Sequence, residues 1–321
     1  MIASALAASR NGESGLRPVN TRRDMVGLAD LLAIAFAPTL DAAGRRMVRR
    51  MRQVGQAGWP GWVAGHFFLP PAAYPQGFVW LAEGKVVGNA SMIEVAGSPG
   101  RWVIANVAVH PRYRRKGIAS ALMNACLDRA SLERGREIVL QVDADNTGAL
   151  SLYKDLGFTQ TTARIIWTRE GFPLDEKRDS APMRKRRPEE WRAQWELAQR
   201  FMPEGLVWPY ALKASFYQTS DLLEHFGIGG RRHWVWVENG NMKASLTARW
   251  GIDENRWRLV LVMDPELCGI AEAEVLQHGL AALQRGHAPV ILDYPHAAGR
   301  EALIKMHFRP RRTLVWMQRS L

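Results

Sequence analysis

Residues 107–119 read Val-Ala-Val-His-Pro-Arg-Tyr-Arg-Arg-Lys-Gly-Ile-Ala, and this stretch decides the reading of the chain. An apolar run ends at Val109, a basic turn follows, and Ile118 opens a helical pattern continued by Leu122, Ala125, Cys126 and Ala130. A helix start leaves its first N–H groups without intrahelical partners, and the aligned peptide dipoles add about half a positive charge there. Gly117 lets a ligand approach the main chain, while Arg114, Arg115 and Lys116 bring charge to the mouth. Such a site suits an anion, and a diphosphate in particular. It is not a nucleotide-triphosphate loop, because no Gly-Lys-Ser or Gly-Lys-Thr occurs in the chain. It is not a dinucleotide fingerprint either, since the first two glycines are missing.

The elements around the loop give it a setting. Residues 1–15 read as a disordered leader, and Leu16–Val19 as a short strand. Asn20 or Thr21 caps a helix carrying Met25, Leu28, Leu31, Leu32 and Phe36 on one face. A second helix covers 41–55, with Met47, Met51 and Val54 aligned. The Gly-, Pro- and aromatic-rich segment 58–75 reads as a loop, either a lid on the substrate side or a structural connection. Phe78–Ala82 and Val86–Val95 form a hairpin, and Trp102–Val109 leads into the anion loop. Ile138–Val142, a helix over Asn146–Leu156 and a strand at Arg164–Thr168 complete the series βααβββαβαβ.

That order, with three motifs in it, resembles the GNAT acetyltransferase superfamily. Arg114, Gly117 and Ala119 fill the defined positions of its pyrophosphate loop. Tyr153 through Gly157-Phe158 resembles its Tyr…Gly-Phe segment, and Asn106-Val-Ala-Val-His-Pro111 its fourth strand. The resemblance covers 16–169 and implies an α/β fold with a mixed sheet.

The remainder repeats the apolar pattern without the chemistry. Met183–Ala198 echoes the opening strand and helix, and His233–Trp250 is a hairpin turning at Asn239-Gly240. Trp257–Met263 matches the strand before the loop, with Asp264-Pro265 in place of His110-Pro111. The arginines and lysine of the loop have no counterparts there, the turn reads as shorter, and Glu266 would repel a diphosphate. Arg312–Gln318 closes this copy. The expected organisation is two tandem GNAT-like domains, each a mixed, partly splayed sheet flanked by helices. A catalytic domain at 16–170 is followed by a linker at 171–182 and a degenerate domain at 183–321. This layout is similar to that of the mycothiol synthases, in which the working copy is the C-terminal one, so that activity is not carried over.

By resemblance, Val107, Ala108 and Val109 would bind a pantetheine arm. Arg114, Arg115, Lys116, Gly117, Ile118 and Ala119 would hold the diphosphate, and Asn146 would reach the arm from the next strand. Tyr153 matches the family's general acid. Many relatives carry a glutamate base on the fourth strand, where this chain has Asn106; Glu94 on the preceding strand is the candidate base acting through water. His110 reads as structural, Asp143 and Asp145 as helix-capping residues, and Cys126 as core.

Composition sets outer limits. At 321 residues, two domains are the expectation. The formal charge of +12 suits a polyanionic cofactor, and no recognition motif supports nucleic acid. Two cysteines exclude a disulfide framework, no Cys/His spacing suggests a metal, and a reducing cytoplasm is the expected compartment. No apolar run is long enough to span a bilayer. The resemblance implies acetyl-CoA as acyl donor and a small-molecule or protein amine as acceptor, in a monomer or homodimer. A non-catalytic acyl-CoA-binding regulator is the alternative.

Overall fold

A computed structural model describes residues 14–58, 76–95, 98–171, 182–201, 206–207, 210–211, 214–218, 231–251, 255–283 and 288–321. Most of the expected leader, the 58–75 loop and the 171–182 linker therefore lie outside the described residues. The chain divides into two units. One comprises residues up to 142 with 146–161 and 316–321; the other comprises 143–145 and 162–315.

The first described strand of the first unit is β1 (Gly15–Pro18), one residue earlier than the strand expected at Leu16–Val19. Helices α1 (Thr21–Ala35) and α2 (Ala42–Gln56) follow, then strands β2 (Gly77–Ala82), β3 (Lys85–Glu94) and β4 (Arg101–Val109). Helix α3 (Ile118–Leu132), β5 (Glu137–Asp143) and α4 (Thr147–Asp155) come next. Asn20 caps α1 by accepting from the amides of Arg22 and Arg23, and the Asp24 carboxylate accepts in return from Asn20 N at 2.7 Å. Arg17 holds Asp24 through two hydrogen bonds, which offsets the burial of that charge. The capped face buries Met25, Leu28, Ala29, Leu31 and Leu32 against Val79 and Ala108.

Strands β1 to β4 pair antiparallel in sequence order, and β4 pairs parallel with β5. Helix α3 covers the other face through Ile118, Leu122, Met123 and Cys126. A Cβ at Gly88 would stand 2.8 Å from Ile118 Cγ2, so only glycine lets the helix settle on β3. Cys126 is fully buried on this face, as expected of a core residue.

The unit closes with residues from far along the chain. Residues 316–320 lie beside β5. The Thr161 hydroxyl donates to Trp316 O, and Arg319 donates to Leu156 O at 2.6 Å.

The second unit starts in the latter half of β6 (Thr159–Arg169). It continues through β7 (Met183–Lys185), α5 (Trp191–Phe201), the short pair β8 (Leu206–Val207) and β9 (Tyr210–Ala211), and α6 (Ala214–Tyr217). Then come β10 (Arg231–Glu238), β11 (Asn241–Gly251), β12 (Arg256–Met263), α7 (Glu272–Ala282), β13 (Val290–Pro295), α8 (Arg300–Lys305) and β14 (Arg309–Ser320). Its strand order is β7-β10-β11-β12-β13-β6. Strand β6 pairs antiparallel with β13, from Arg164 opposite Pro295 to Arg169 opposite Val290. Arg164 bridges to Asp293 at 2.7 Å, and Ile165 and Trp167 enter this unit's core.

The closing strands thus differ from the sequence expectation. The strand at 164–168 belongs to the second unit, not the first, and the strand expected at 312–318 passes into the first unit from Trp316 onward. Thr-Ala-Arg-Ile-Ile-Trp and Arg-Thr-Leu-Val-Trp-Met offer the same alternation of faces. That alternation says which side is buried but not against which sheet.

Candidate active site

The site grows out of an irregularity in β4. Along β3, Asn89 stands opposite Ala108 and Ser91 opposite Ala105, so Asn106 and Val107 together face Ala90. This is a β-bulge, and Asn106 takes a left-handed φ of +53° there. Pairing with β5 runs only from Arg101 opposite Glu137 to Ile104 opposite Leu140. Past the bulge, β4 continues to Val109 without a strand partner on that side among the described residues, and the two parallel strands splay apart.

Their C-terminal ends lie on one edge, where each feeds a helix. After β4, His110 Nδ1 accepts from Arg112 N and caps the short turn Pro111–Tyr113. That bond gives His110 a local role in shaping the turn. Arg115 is left-handed at φ +63° and Gly117 at +75°, a pattern that turns successive amides toward one concave side. Among the described residues, the amides of Arg115 to Ser120 donate to no protein acceptor. A Cβ added at Gly117 would meet nothing within 4 Å. Arg114 Nε donates to Val109 O at 3.1 Å, and the Lys116 ammonium stands 5.2 Å from the centre of the Tyr113 ring. All four residues from Arg114 to Gly117 are exposed, whereas Ile118 is buried beneath them.

After β5, Asn146 caps α4 by accepting from Ala149 N at 3.2 Å. Its amide group remains as a donor. Asn146 is the cap of this helix, in place of the expected Asp143 and Asp145; Asp143 is bridged by Arg312 at 2.9 Å and accepts from Asp145 N. Tyr153 is buried on α4, its ring 6.1 Å from that of Phe158. Burial pushes its phenol up to about 12, so it stays protonated at neutral pH. Among the described residues its hydroxyl has no hydrogen-bond partner.

Glu94 does not join this group. It is exposed, accepts from Gly100 N at 3.2 Å and stands opposite Trp102 at the far end of β4. Five residues of strand rise, roughly 16 Å, separate that level from Val107. The glutamate holds the β3–β4 turn, which corrects its assignment as a base.

The second unit shows what a filled version looks like. Pro265 and α7 are spaced as Pro111 and α3 are, so the turn is not shorter. Gly269 is left-handed at φ +85°, in the place of Arg115. Its amide, however, donates to Glu272 Oε1 at 2.7 Å, and Tyr294 Oη donates to the same oxygen at 2.9 Å. Glu272 is fully buried, and burial together with its charge pushes the Tyr294 phenol upward. Strand β12 pairs with β11 in unbroken register, without a bulge. Glu266, expected to repel an anion, instead points outward to Lys243 at 2.9 Å. Sequence reasoning missed Glu272 and Tyr294 because their meeting is tertiary.

A mixed sheet splayed at a bulged fourth strand, with an amide nest that has no acceptor among the described residues at the next helix, is the arrangement of the GNAT fold. Residues 50–158 match the model of the acetyltransferase (GNAT) family. The [ribosomal protein bS18]-alanine N-acetyltransferase of Escherichia coli is 34% identical over 76 residues, 24% of this chain and 49% of that one. The chain spans about half the length of the curated relatives it matches. A GCN5-related N-acetyltransferase from Sphaerobacter thermophilus superposes with a TM-score of 0.65 at 13% identity, over 96% of this chain and 95% of that one. A tandem GNAT protein from the clavulanic acid biosynthesis pathway gives 0.58 at 17% identity, over 96% and 98%. The fold is that of two GNAT-like units in tandem. No helix among the described residues is long and apolar enough to cross a membrane.

Proposed function

We propose that the first unit transfers an acetyl group from acetyl-CoA to a primary amine by direct attack in a ternary complex. The carrying observation is the set of amides from Arg115 to Ser120, which have no protein acceptor among the described residues of one unit while a buried carboxylate accepts from the matching turn in the other. Free amides at a helix start, flanked by exposed cations, fit a diphosphate. In this reading Arg114, Arg115, Lys116, Gly117, Ile118 and Ala119 hold the diphosphate. Val107, Ala108 and Val109, freed from β5 by the splay, offer main-chain groups to the pantetheine arm, and Asn146 adds an amide donor.

The thioester supplies the activated acetyl group. A main-chain N–H past the bulge polarises its carbonyl. The amine nitrogen forms the new bond to carbon as the carbon–sulfur bond breaks. Tyr153 Oη gives its proton to the departing sulfur and regains one from the amine through water. Such help is worth ~10²–10⁴ in rate. With Asn106 on β4 and Glu94 at its far end, the acceptor enters as the free amine, and the rate rises with pH through the amine's own ionisation. The acceptor is a small-molecule or protein amine.

A free-thiol assay with acetyl-CoA over an amine library tests the reading, and at least one amine should release CoA in proportion to acetyl product. Tyr153→Phe should keep the melting temperature and cofactor affinity but lose about 10² in kcat. Equal rates in the two forms would show that the tyrosine only packs on Phe158. The missing β4 carboxylate favours a second reading, a non-catalytic acyl-CoA binder. Cofactor binding with no turnover on any amine would select it.

A further inference from the structure

The bulge that opens β4 needs something to hold it. Asn106 sits at a left-handed φ, which costs a non-glycine residue about 1 kcal/mol or more. Its carbonyl is also withdrawn from the regular β3 ladder at the register shift. One side chain meets that carbonyl: Asn89 Nδ2 donates to Asn106 O at 2.8 Å and to Ser91 Oγ at 3.1 Å. Asn89 is 1% exposed, and its Oδ1 is buried with no protein partner. A buried amide that leaves an acceptor unmatched is an expensive choice for a strand, so its donor must return something.

The second unit serves as an internal comparison. Gly88 opposite Val109 and Ala244 opposite Met263 align the two hairpins and place Ser245 where Asn89 stands. The serine hydroxyl has no partner among the described residues, and β12 beside it runs straight. The side-chain latch and the bulge occur together in one copy and are absent together from the other.

We propose that Asn89 is a positioning residue: its amide pins the Asn106 carbonyl, holds the bulge, and keeps the main chain of Val107 to Val109 turned away from β5 for the pantetheine arm. The inference rests on the acetyl-CoA reading above. It predicts a division within one ligand. The nucleotide end meets the loop at 114–119, which Asn89 does not touch; the thioester arm meets β4, which Asn89 shapes.

The test is calorimetric titration of the full chain with two probes, acetyl-CoA and 3′-phosphoadenosine 5′-diphosphate, which lacks the arm. Asn89→Leu removes the donor at similar volume, and Asn89→Ser copies the second unit should the leucine variant fail to fold. Ser245→Ala is the control. Both Asn89 variants should weaken acetyl-CoA at least tenfold while the nucleotide probe changes less than twofold, and kcat should fall by a larger factor than the probe's Kd rises. The control should change neither. Equal losses on both probes, or no loss on either, overturn the latch while leaving the loop assignment intact. A wild-type chain that binds neither probe ends both proposals.

Discussion

Replacing Gly117 with asparagine separates the fold from the ligand more cleanly than any other change in the loop. Gly117 lies at φ +75°, ψ −2°, a left-handed conformation that asparagine tolerates better than other side chains. The backbone cost should therefore stay near or below 1 kcal/mol, which in a unit of this size lowers the melting temperature by about 2–4 °C. A Cβ at this position meets no protein atom within 4 Å, so no repacking adds to that figure. The new side chain projects into the space beside the free amides of 115–120. Each hydrogen bond to a charged acceptor is worth about 1.5–3 kcal/mol. Displacing two of them removes ~3–6 kcal/mol, or ~10²–10⁴ in Kd. Isothermal titration with acetyl-CoA measures this directly, with scanning calorimetry for the fold. A variant that binds within about threefold of the parent would refute the diphosphate assignment, however well the sheet matches.

Two other expectations concern the second unit. Titration should reach saturation at one acetyl-CoA per chain, because Glu272, held by Tyr294, already occupies the amide of Gly269; two equivalents would show that this turn accepts ligand. His233 is buried and bonded to Thr247 Oγ1, and burial, then the charges of Arg186 and Arg231, lower it from 6.5 to about 3. The fold holds it neutral, so its contribution is complete above pH 6.5 and is lost as pH falls toward 3, by up to ~5 kcal/mol at 1.36 kcal/mol per unit. The melting temperature should drop across that window, and His233→Gln should flatten the drop; parallel curves for the two proteins would exclude His233 as its source.

Much of the first unit could be read from residues alone. Asn20 announced a helix start, Glu83-Gly84 a hairpin turn, and the basic turn before Gly117 an amide nest, because each depends on neighbours within a few positions. Three features could not be read this way. The bulge at Asn106 depends on what β3 presents opposite it; the only trace was the polar pair Asn89 and Ser91 in an otherwise apolar strand. Glu94 looked like a base because strand membership is legible while position along a paired strand is not. The filled turn of the second unit hid behind Glu266, which is near in sequence but faces Lys243. The residue that matters, Glu272, takes its role from Tyr294, 22 positions away.

The crossed ownership of the closing strands also bears on how the chain is made. Thr161 and Trp316, hydrogen-bonded in the finished first unit, are 155 positions apart. At ~5–20 residues per second, a ribosome needs ~8–30 s to deliver the second after the first. Until then β5 has a bare edge, the kind of surface that recruits strangers. Cutting the gene near codon 175 to obtain the first unit by itself would make that vulnerable interval permanent.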